Sequence, residues 1–96
     1  MITRVYRVQI KAALREEFEP LFMTVAKGSV TAALGCTRVV VGGPTPLTPN
    51  EYAMITDWDN ENSLTAFAGI DWSVAHIPEG MERFVETCWV HHFEHI

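Results

Sequence analysis

The chain has 96 residues, of which 48% are hydrophobic and 10% aromatic, enough apolar material for the core of one domain spanning residues 1–96. The formal net charge is −5, from twelve acidic and seven basic residues. The bases are scattered along the chain and form no basic stripe, so we exclude nucleic acid and an anionic membrane as partners.

The N-terminal stretch Met1–Arg7 lacks the uninterrupted apolar run of a secretory signal, and no segment approaches the length of a membrane span. The two cysteines, Cys36 and Cys88, are compatible with a reducing compartment in which thiols stay free. We therefore expect a cytoplasmic protein.

Alternation of apolar and polar residues over 2–11 predicts a first strand, although Arg4 and Val5 interrupt the pattern. Apolar residues then recur at helical spacing from Leu14 to Val25, which predicts an amphipathic helix. Pro20 lies inside this segment but projects about 200° around the helix from the apolar side, by the period of 3.6 residues per turn. We expect it to bend the helix on its solvent side.

The helical region is expected to end at Gly28 or at Gly35. The β-branched run Cys36–Val41 predicts the second strand, and the proline-containing stretch 43–50 predicts a loop. Strand character resumes over Glu51–Trp58.

Asp59 or Asn60 is expected to cap the next helix, whose apolar face includes Leu64, Phe67 and Ala68. Residues 70–76 either continue that helix or form a second short turn, before Pro78 and Gly80 stop it. A last strand is predicted over about 84–93.

The order strand, helix, strand, strand, helix, strand predicts an α+β fold of the ferredoxin-like, split β-α-β type. Its four-stranded antiparallel sheet has the spatial order 4-1-3-2, with both helices on one face. The other face carries apolar side chains, and we expect two such sheets to pair face to face in a homodimer, a dimeric α+β barrel. Cys36 and Cys88 then lie on opposite edges of the sheet, too far apart for an intrachain disulfide.

Three stretches together resemble the antibiotic biosynthesis monooxygenase family, whose members are dimeric α+β barrels. The stretches are Phe18 to Phe22 with Leu34-Gly35-Cys36, then Glu51–Asp59 with Leu64 and Ala66-Phe67, and finally Trp72–His76 with the terminal His91–Glu94. The resemblance spans nearly the whole chain and is most specific between Tyr52 and His76. It implies a cofactor-independent oxygenase of flat phenols and quinols or, in another branch of the family, a haem-degrading enzyme.

The resemblance also bears on which branch this chain follows. Haem-degrading members carry an Asn on the first strand, a Trp on the second main helix and a His after it. Here His76 matches the His, Phe67 occupies the Trp position, and the first strand offers Arg7 or Gln9 in place of the Asn. Haem degradation is therefore disfavoured.

His76 is the main catalytic candidate, since an imidazole with an ordinary pKa near 6.5 suits a general base toward a phenolic hydroxyl. The competing interpretation is a histidine that caps a helix end. Arg7 is the second catalytic candidate, as a cation that stabilises an enolate or quinolate oxyanion. Its alternative is a surface or interface ion pair, and by parity it points away from the face of Tyr6 and Val8.

The candidate substrate-binding residues are Trp72, Phe67, Trp58 and Tyr52. Aromatic residues at such spacings are more often plain core, and a core role is favoured for Trp58, which ends a strand. Trp72 is the stronger candidate for a pocket, because it precedes His76 in a less regular segment. Asp57 is an ordinary sheet residue unless a polar pocket forms.

Four potential metal ligands cluster in sequence at the C-terminus, namely His91, His92, Glu94 and His95. Strand alternation places His91 and His95 on one face and the other two residues on the opposite face, so one face supplies two ligands at most. We expect no metal site. We also expect no cofactor, because Gly42-Gly43-Pro44 lacks the rest of a phosphate-binding loop.

The leading hypothesis is a dimeric, cofactor-independent monooxygenase of a small hydrophobic aromatic ligand, a flat phenol or quinol, with His76 as base. The alternative is a non-catalytic binding or stress-associated dimer, which a sealed space beside His76, or a His76 paired to Asp71 or Glu79, would favour. Haem binding through His76 is a third, weaker possibility.

Overall fold

The strands and helices that the sequence patterns predict are present in the computed structural model of the protein, which describes residues 1–96. The strands are β1 (Ile2–Ile10), β2 (Cys36–Gly42), β3 (Glu51–Trp58) and β4 (Val85–Glu94). The α-helices are α1 (Arg15–Leu21), α2 (Lys27–Thr31) and α3 (Glu61–Ala68). A π-helical turn (Phe22–Ala26) joins α1 to α2, and short 3₁₀ turns lie at Ala12–Leu14 and Glu82–Phe84.

The four strands form one antiparallel sheet in the order β2-β3-β1-β4. This is the predicted order 4-1-3-2 read from the other edge, and the ferredoxin-like arrangement is confirmed. Cys36 on β2 and Cys88 on β4 lie on opposite edges, and both thiols are free.

The first strand alternates without interruption between the two faces of the sheet. Ile2, Val8 and Ile10 are buried on the face that the helices cover, and Arg4 shares that face with an exposure of only 4%. Arg4 therefore belongs to the alternation of the strand and does not interrupt it.

The core between sheet and helices is aromatic at the α1 end. Phe18 and Phe22 stack with ring centroids 5.1 Å apart, and both contact the ring of Tyr52 on β3. Pro20 is exposed on the outer side of α1, as its position on the helix predicted, and the π-helical turn begins two residues later. Pro20 removes an amide donor from the helix, and a local change of helical pitch commonly accompanies such a loss.

The ends of the helices settle the alternatives left open by the sequence. Gly28 lies inside α2, and Gly35, with φ of 87°, leads into β2. Asn60 rather than Asp59 caps α3, because its Oδ1 accepts a hydrogen bond from the amide of Ser63 at 2.9 Å. At the other end α3 stops at Gly69, whose φ is 88°.

Residues 70–80 form an irregular segment that crosses from α3 to the last strand, instead of continuing the helix. We call it the connecting segment. None of the helices has the length and apolar character needed to cross a membrane.

Candidate active site

An apolar cavity lies between the helices and the covered face of the sheet. Its volume is about 40 Å³, and we call it the inner cavity. The apolar lining includes Phe22, Val30, Met54, Phe67, Ile77 and Met81. The polar side chains that reach it are Arg4, Tyr6, Ser29, Thr56 and His76. Small-molecule sites are typically apolar spaces on which a few polar groups converge.

A second, open depression of about 330 Å³ adjoins this cavity, and we call it the outer groove. The cavity and the groove share Ser29, Phe67 and His76 in their walls. The inner cavity alone holds only a few water molecules, by the rule that one water needs about 10–15 Å³. A ring-sized ligand would therefore occupy the groove and direct one end past these three residues into the cavity.

His76 lies at the junction of the two spaces and is held there by an aromatic contact. Its imidazole packs on the ring of Phe67 with centroids 4.4 Å apart and an interplanar angle of 37°. Phe67 in turn packs on the fully buried Trp58, at 5.1 Å. This stack links a core residue of β3 to an exposed histidine of the connecting segment.

The imidazole of His76 makes no hydrogen bond or ion pair with the protein. The Asp71 carboxylate, which could have engaged it, instead accepts hydrogen bonds from the hydroxyl and the amide of Ser73, at 2.6 and 3.0 Å. Both ring nitrogens of His76 thus remain available to a ligand.

Arg4 contributes a buried guanidinium to the inner cavity. Its Nη1 donates to the carbonyl of Trp72 at 3.0 Å, and its Nη2 donates to the carbonyl of Val74 at 3.3 Å. A third hydrogen bond joins Nη1 to Nε2 of His92, at 3.0 Å. No carboxylate forms an ion pair with it, and burial lowers the pKa of Arg4.

Tyr6 lies two residues further along the same face of β1 and also lines the inner cavity. Its hydroxyl makes no hydrogen bond within the protein, and because no buried polar side-chain atom lacks a partner, this hydroxyl is accessible rather than sealed in the core. Burial, followed by the proximity of Cys88, raises the pKa of Tyr6 well above its ordinary value. The phenol therefore remains protonated and is a hydrogen-bond donor to whatever enters the cavity.

Thr56 on β3 completes the polar wall. Its Oγ1 accepts a hydrogen bond from Nε1 of Trp58 at 2.9 Å, which leaves its own hydroxyl hydrogen free to donate. Arg4, Tyr6 and Thr56 thus present hydrogen-bond donors to a space that contains no acidic side chain.

Of the predicted site residues, the structure brings His76 and Phe67 together at the inner cavity, but the other aromatic candidates lie outside it. Trp58 is completely buried and makes the core contact described above. Tyr52 is a core residue near α1, and its hydroxyl donates to Oε2 of Glu19 at 2.6 Å. The ring of Trp72 packs on His92, and its Nε1 donates to Thr65, so only its backbone carbonyl serves the site, by holding Arg4.

Arg7, the second catalytic candidate, lies on the opposite face of the sheet from His76. It forms an ion pair with Glu51 at 3.0 Å, and its guanidinium lies over the ring of Trp89 at 4.8 Å. Side chains of neighbouring strand residues point to opposite faces, so Arg7 cannot reach the cavity of its own chain. The cation that does reach it is Arg4, three residues earlier.

Sequence reasoning missed Arg4, although parity could have found it. Arg4 has the even parity of Ile2, Tyr6 and Val8, and an arginine on the apolar side of a strand is a buried charge that needs partners. Its partners were not readable, because two of them are backbone carbonyls of the connecting segment.

The C-terminal histidines do not converge. His92 faces the helices and bonds Arg4, whereas Nε2 of His95 lies 2.6 Å from Oγ1 of Thr3, next to Asp57 on the open face. His91 is exposed on that same open face, where it pairs with Val5.

The sequence profile of the family described as antibiotic biosynthesis monooxygenase matches residues 1–71 of this chain. The chain belongs to this family. The matched region contains β1 to α3 and thus Arg4, Tyr6 and Phe67, whereas His76 lies beyond it. Among curated proteins, none matches the sequence significantly.

Solved structures share the fold at low sequence identity. SnoaB from Streptomyces nogalater, a cofactor-independent oxygenase, superposes with a TM-score of 0.72 at 18% identity, over 98% of this chain and 91% of that one. MhuD with two manganese protoporphyrin IX molecules per active site gives a TM-score of 0.73 at 18% identity, over 100% and 95% of the two chains. A structure of an antibiotic biosynthesis monooxygenase gives 0.71 at 12% identity, over 100% and 99%. These likenesses establish the fold.

Proposed function

We propose that this protein is a cofactor-independent monooxygenase of a flat phenolic or quinol-type molecule. The observation that carries the proposal is the position of His76, an unbonded imidazole at the junction of an apolar cavity and an open groove. The space is not sealed, and neither Asp71 nor Glu79 engages the histidine. Both features favour a working site over a packed core.

The geometry gives each neighbouring group a role in the first step. A flat ligand lying in the outer groove would meet the ring of Phe67, to which aromatic stacking would hold it. His76 would accept the proton of its hydroxyl as a general base. The resulting anion is electron-rich, and it would be the species that reacts with O₂.

The oxidation balances without an external reductant when the phenol activates a neighbouring CH₂ group. The deprotonated substrate passes one electron to O₂, and the substrate radical and superoxide then combine into a C–O bond. Loss of water from the protonated peroxide leaves a ketone. One oxygen atom ends in the product and one in water, and all the electrons come from the two C–H bonds of the substrate.

We also propose that the protein acts as a homodimer through the open face of the sheet. Val40, Ile55 and Val5 lie next to one another across three strands of that face, and Phe93 on the edge strand is 59% exposed. Two such faces packed together would remove these side chains from water.

Haem is a poor fit to the site as it stands. A macrocycle cannot enter the inner cavity of about 40 Å³ and would have to lie wholly in the outer groove of about 330 Å³. The residues of β1 that face the inner cavity are Arg4 and Tyr6 rather than an amide. The alternative function is that of a non-catalytic binding protein, which would bind phenols in the outer groove without consuming O₂.

Oxygen consumption by the purified protein, free of metal and flavin, tests the proposal with a panel of quinols and polycyclic phenols. We expect uptake above autoxidation for at least one compound, with a stoichiometry of one O₂ per ketone formed. Binding of the same compounds with no uptake would favour the binding protein.

A further inference from the structure

The inner cavity contains a buried positive charge that has no negative partner. Arg4 is 4% exposed, and every ion pair in the protein involves other residues. Buried charges in proteins are normally paired, because removal from water without a counter-charge is costly. An unpaired guanidinium is unexpected in a chain with net charge −5, where acidic residues are abundant.

The hydrogen bonds of Arg4 are also incomplete. A guanidinium has five N–H donors in a planar fork. Three of them are used, by the carbonyls of Trp72 and Val74 and by Nε2 of His92. All three acceptors are neutral, which leaves two donors and the charge itself for a ligand.

Tyr6 adds a second donor without a protein acceptor. Its side chain lines the same cavity, and its hydroxyl stays protonated. A guanidinium with two unused donors and no counter-charge, beside a phenol without an acceptor and in a cavity lined by no acidic side chain, matches the requirements of a compact oxyanion.

From this arrangement we infer that Arg4 and Tyr6 form an oxyanion site, which binds the ligand in its phenolate form. The inference rests on the proposed function and deepens it. It narrows the substrate class to phenols whose hydroxyl group loses its proton inside the inner cavity. His76 takes the proton at the junction, and Arg4 and Tyr6 stabilise the oxygen that loses it. Arg4 is then the residue that determines the charge state of the bound substrate.

The test uses para-nitrophenol, a single-ring probe whose phenolate absorbs visible light and whose phenol form does not. The absorbance of the bound probe is titrated with pH in the wild-type protein. We expect its pKa to fall by about one unit on binding, which is a tenfold preference for the phenolate. Para-nitroanisole, a methyl ether of nearly the same shape that cannot ionise, should bind at least about tenfold more weakly at a pH above the pKa of the free phenol.

Variants assign the effect to the residue. Arg4→Gln should abolish the shift, Arg4→Lys should retain part of it because the charge remains, and Tyr6→Phe should reduce it. Arg7→Gln is the matched control, since Arg7 lies on the other face of the sheet, and it should leave the shift unchanged. If Arg4→Gln fails to fold, the wild-type comparison of the two probes still decides the question.

Equal affinity for the two probes, an unshifted pKa, or no binding of either probe overturns the oxyanion site. The result is independent of turnover. A shifted pKa without oxygen uptake would leave the anion site in place and remove the oxygenase. Oxygen uptake without a shifted pKa would support the oxygenase and remove the oxyanion site.

Discussion

Nη1 of Arg4 lies 3.0 Å from Nε2 of His92, two side chains that face each other on neighbouring strands. An arginine can only donate, so Nε2 of His92 must carry its lone pair and the imidazole must be neutral. The same arginine holds two carbonyls of the connecting segment, on which His76 lies. The protonation state of His92 is thus tied to the structure of the candidate site.

This pair predicts a loss of stability in mild acid. Burial, followed by the charges of Arg4 and His91, lowers the pKa of His92 below its ordinary value of 6.5. Well above pH 6.5 the histidine is neutral in both folded and unfolded chains and has no effect. As the pH falls below 6.5, the unfolded chain takes up the proton first, so the free energy of unfolding decreases until the folded pKa is passed.

The variant His92→Gln isolates this effect, because a glutamine oxygen can accept from Arg4 and does not titrate. Urea denaturation of both proteins across this pH range measures it. We expect the wild type to lose more stability than the variant as the pH falls. If the free energies of unfolding of the two proteins change with pH in parallel, His92 does not contribute to the pH dependence of stability.

Removal of the imidazole of His76 should abolish most of the proposed oxygenase activity and leave the fold intact. General base catalysis contributes typically about 10²–10⁴-fold, so His76→Ala should lower kcat by at least about a hundredfold. His76 is exposed, which is why the thermal unfolding curve should change little. Glu79→Gln, an exposed substitution in the same segment, is the control and should keep its rate; an undiminished rate in His76→Ala would remove the assigned base.

Gly35 is expected to tolerate no side chain. A Cβ at this position would lie 2.3 Å from Oγ and 2.4 Å from Cβ of Ser63 on α3, and its φ of +87° is strained for any other residue. Gly80 has the same φ with open space around it. Gly80→Ala should therefore cost about 1–3 kcal/mol, the price of backbone strain alone, and Gly35→Ala should cost more.

Ser63→Gly provides the second half of that experiment. In its background, Gly35→Ala should cost no more than Gly80→Ala, because the steric conflict is gone and only the backbone strain remains. Chemical denaturation of the four variants supplies the comparison. Equal costs for the two alanine variants in the wild-type background would contradict the close packing of α3 on the start of β2.

The open face of the sheet is expected to mediate dimerisation. Val5 lies on a central strand, between Ile55 and His91 in the same cross-strand row. Val5→Lys should convert the proposed dimer to a monomer, because the charge would be buried against the partner. Light scattering coupled to size-exclusion chromatography measures the mass, with Ile70→Lys, at a residue 94% exposed on the connecting segment, as the control.

A wild-type protein that is monomeric at all concentrations would contradict the proposed pairing. So would a dimer that survives Val5→Lys but dissociates in the control variant.

Much of the fold could be predicted because local patterns carry it. The alternation in β1, the helical spacing from Leu14 onward and the loop before β3 predicted the order of the elements, and chirality rules then predicted the order of the strands. The separation of Cys36 from Cys88 followed from that order alone. The sequence predicted the end of α3 less clearly. Gly69 indicates a helix end, but the residues after it include apolar ones that could have continued the helix.

The site depended on contacts between distant parts of the chain. The sequence alone determined that His76 follows the Phe67 helix and that Arg4 and Arg7 have opposite parity. Only the tertiary structure decided which arginine meets the cavity, because the helices cover one face of β1 and the connecting segment supplies the carbonyls that make a buried guanidinium tolerable. Backbone carbonyls exist at every residue, so no sequence pattern marks the ones that a side chain 68 and 70 positions away will use.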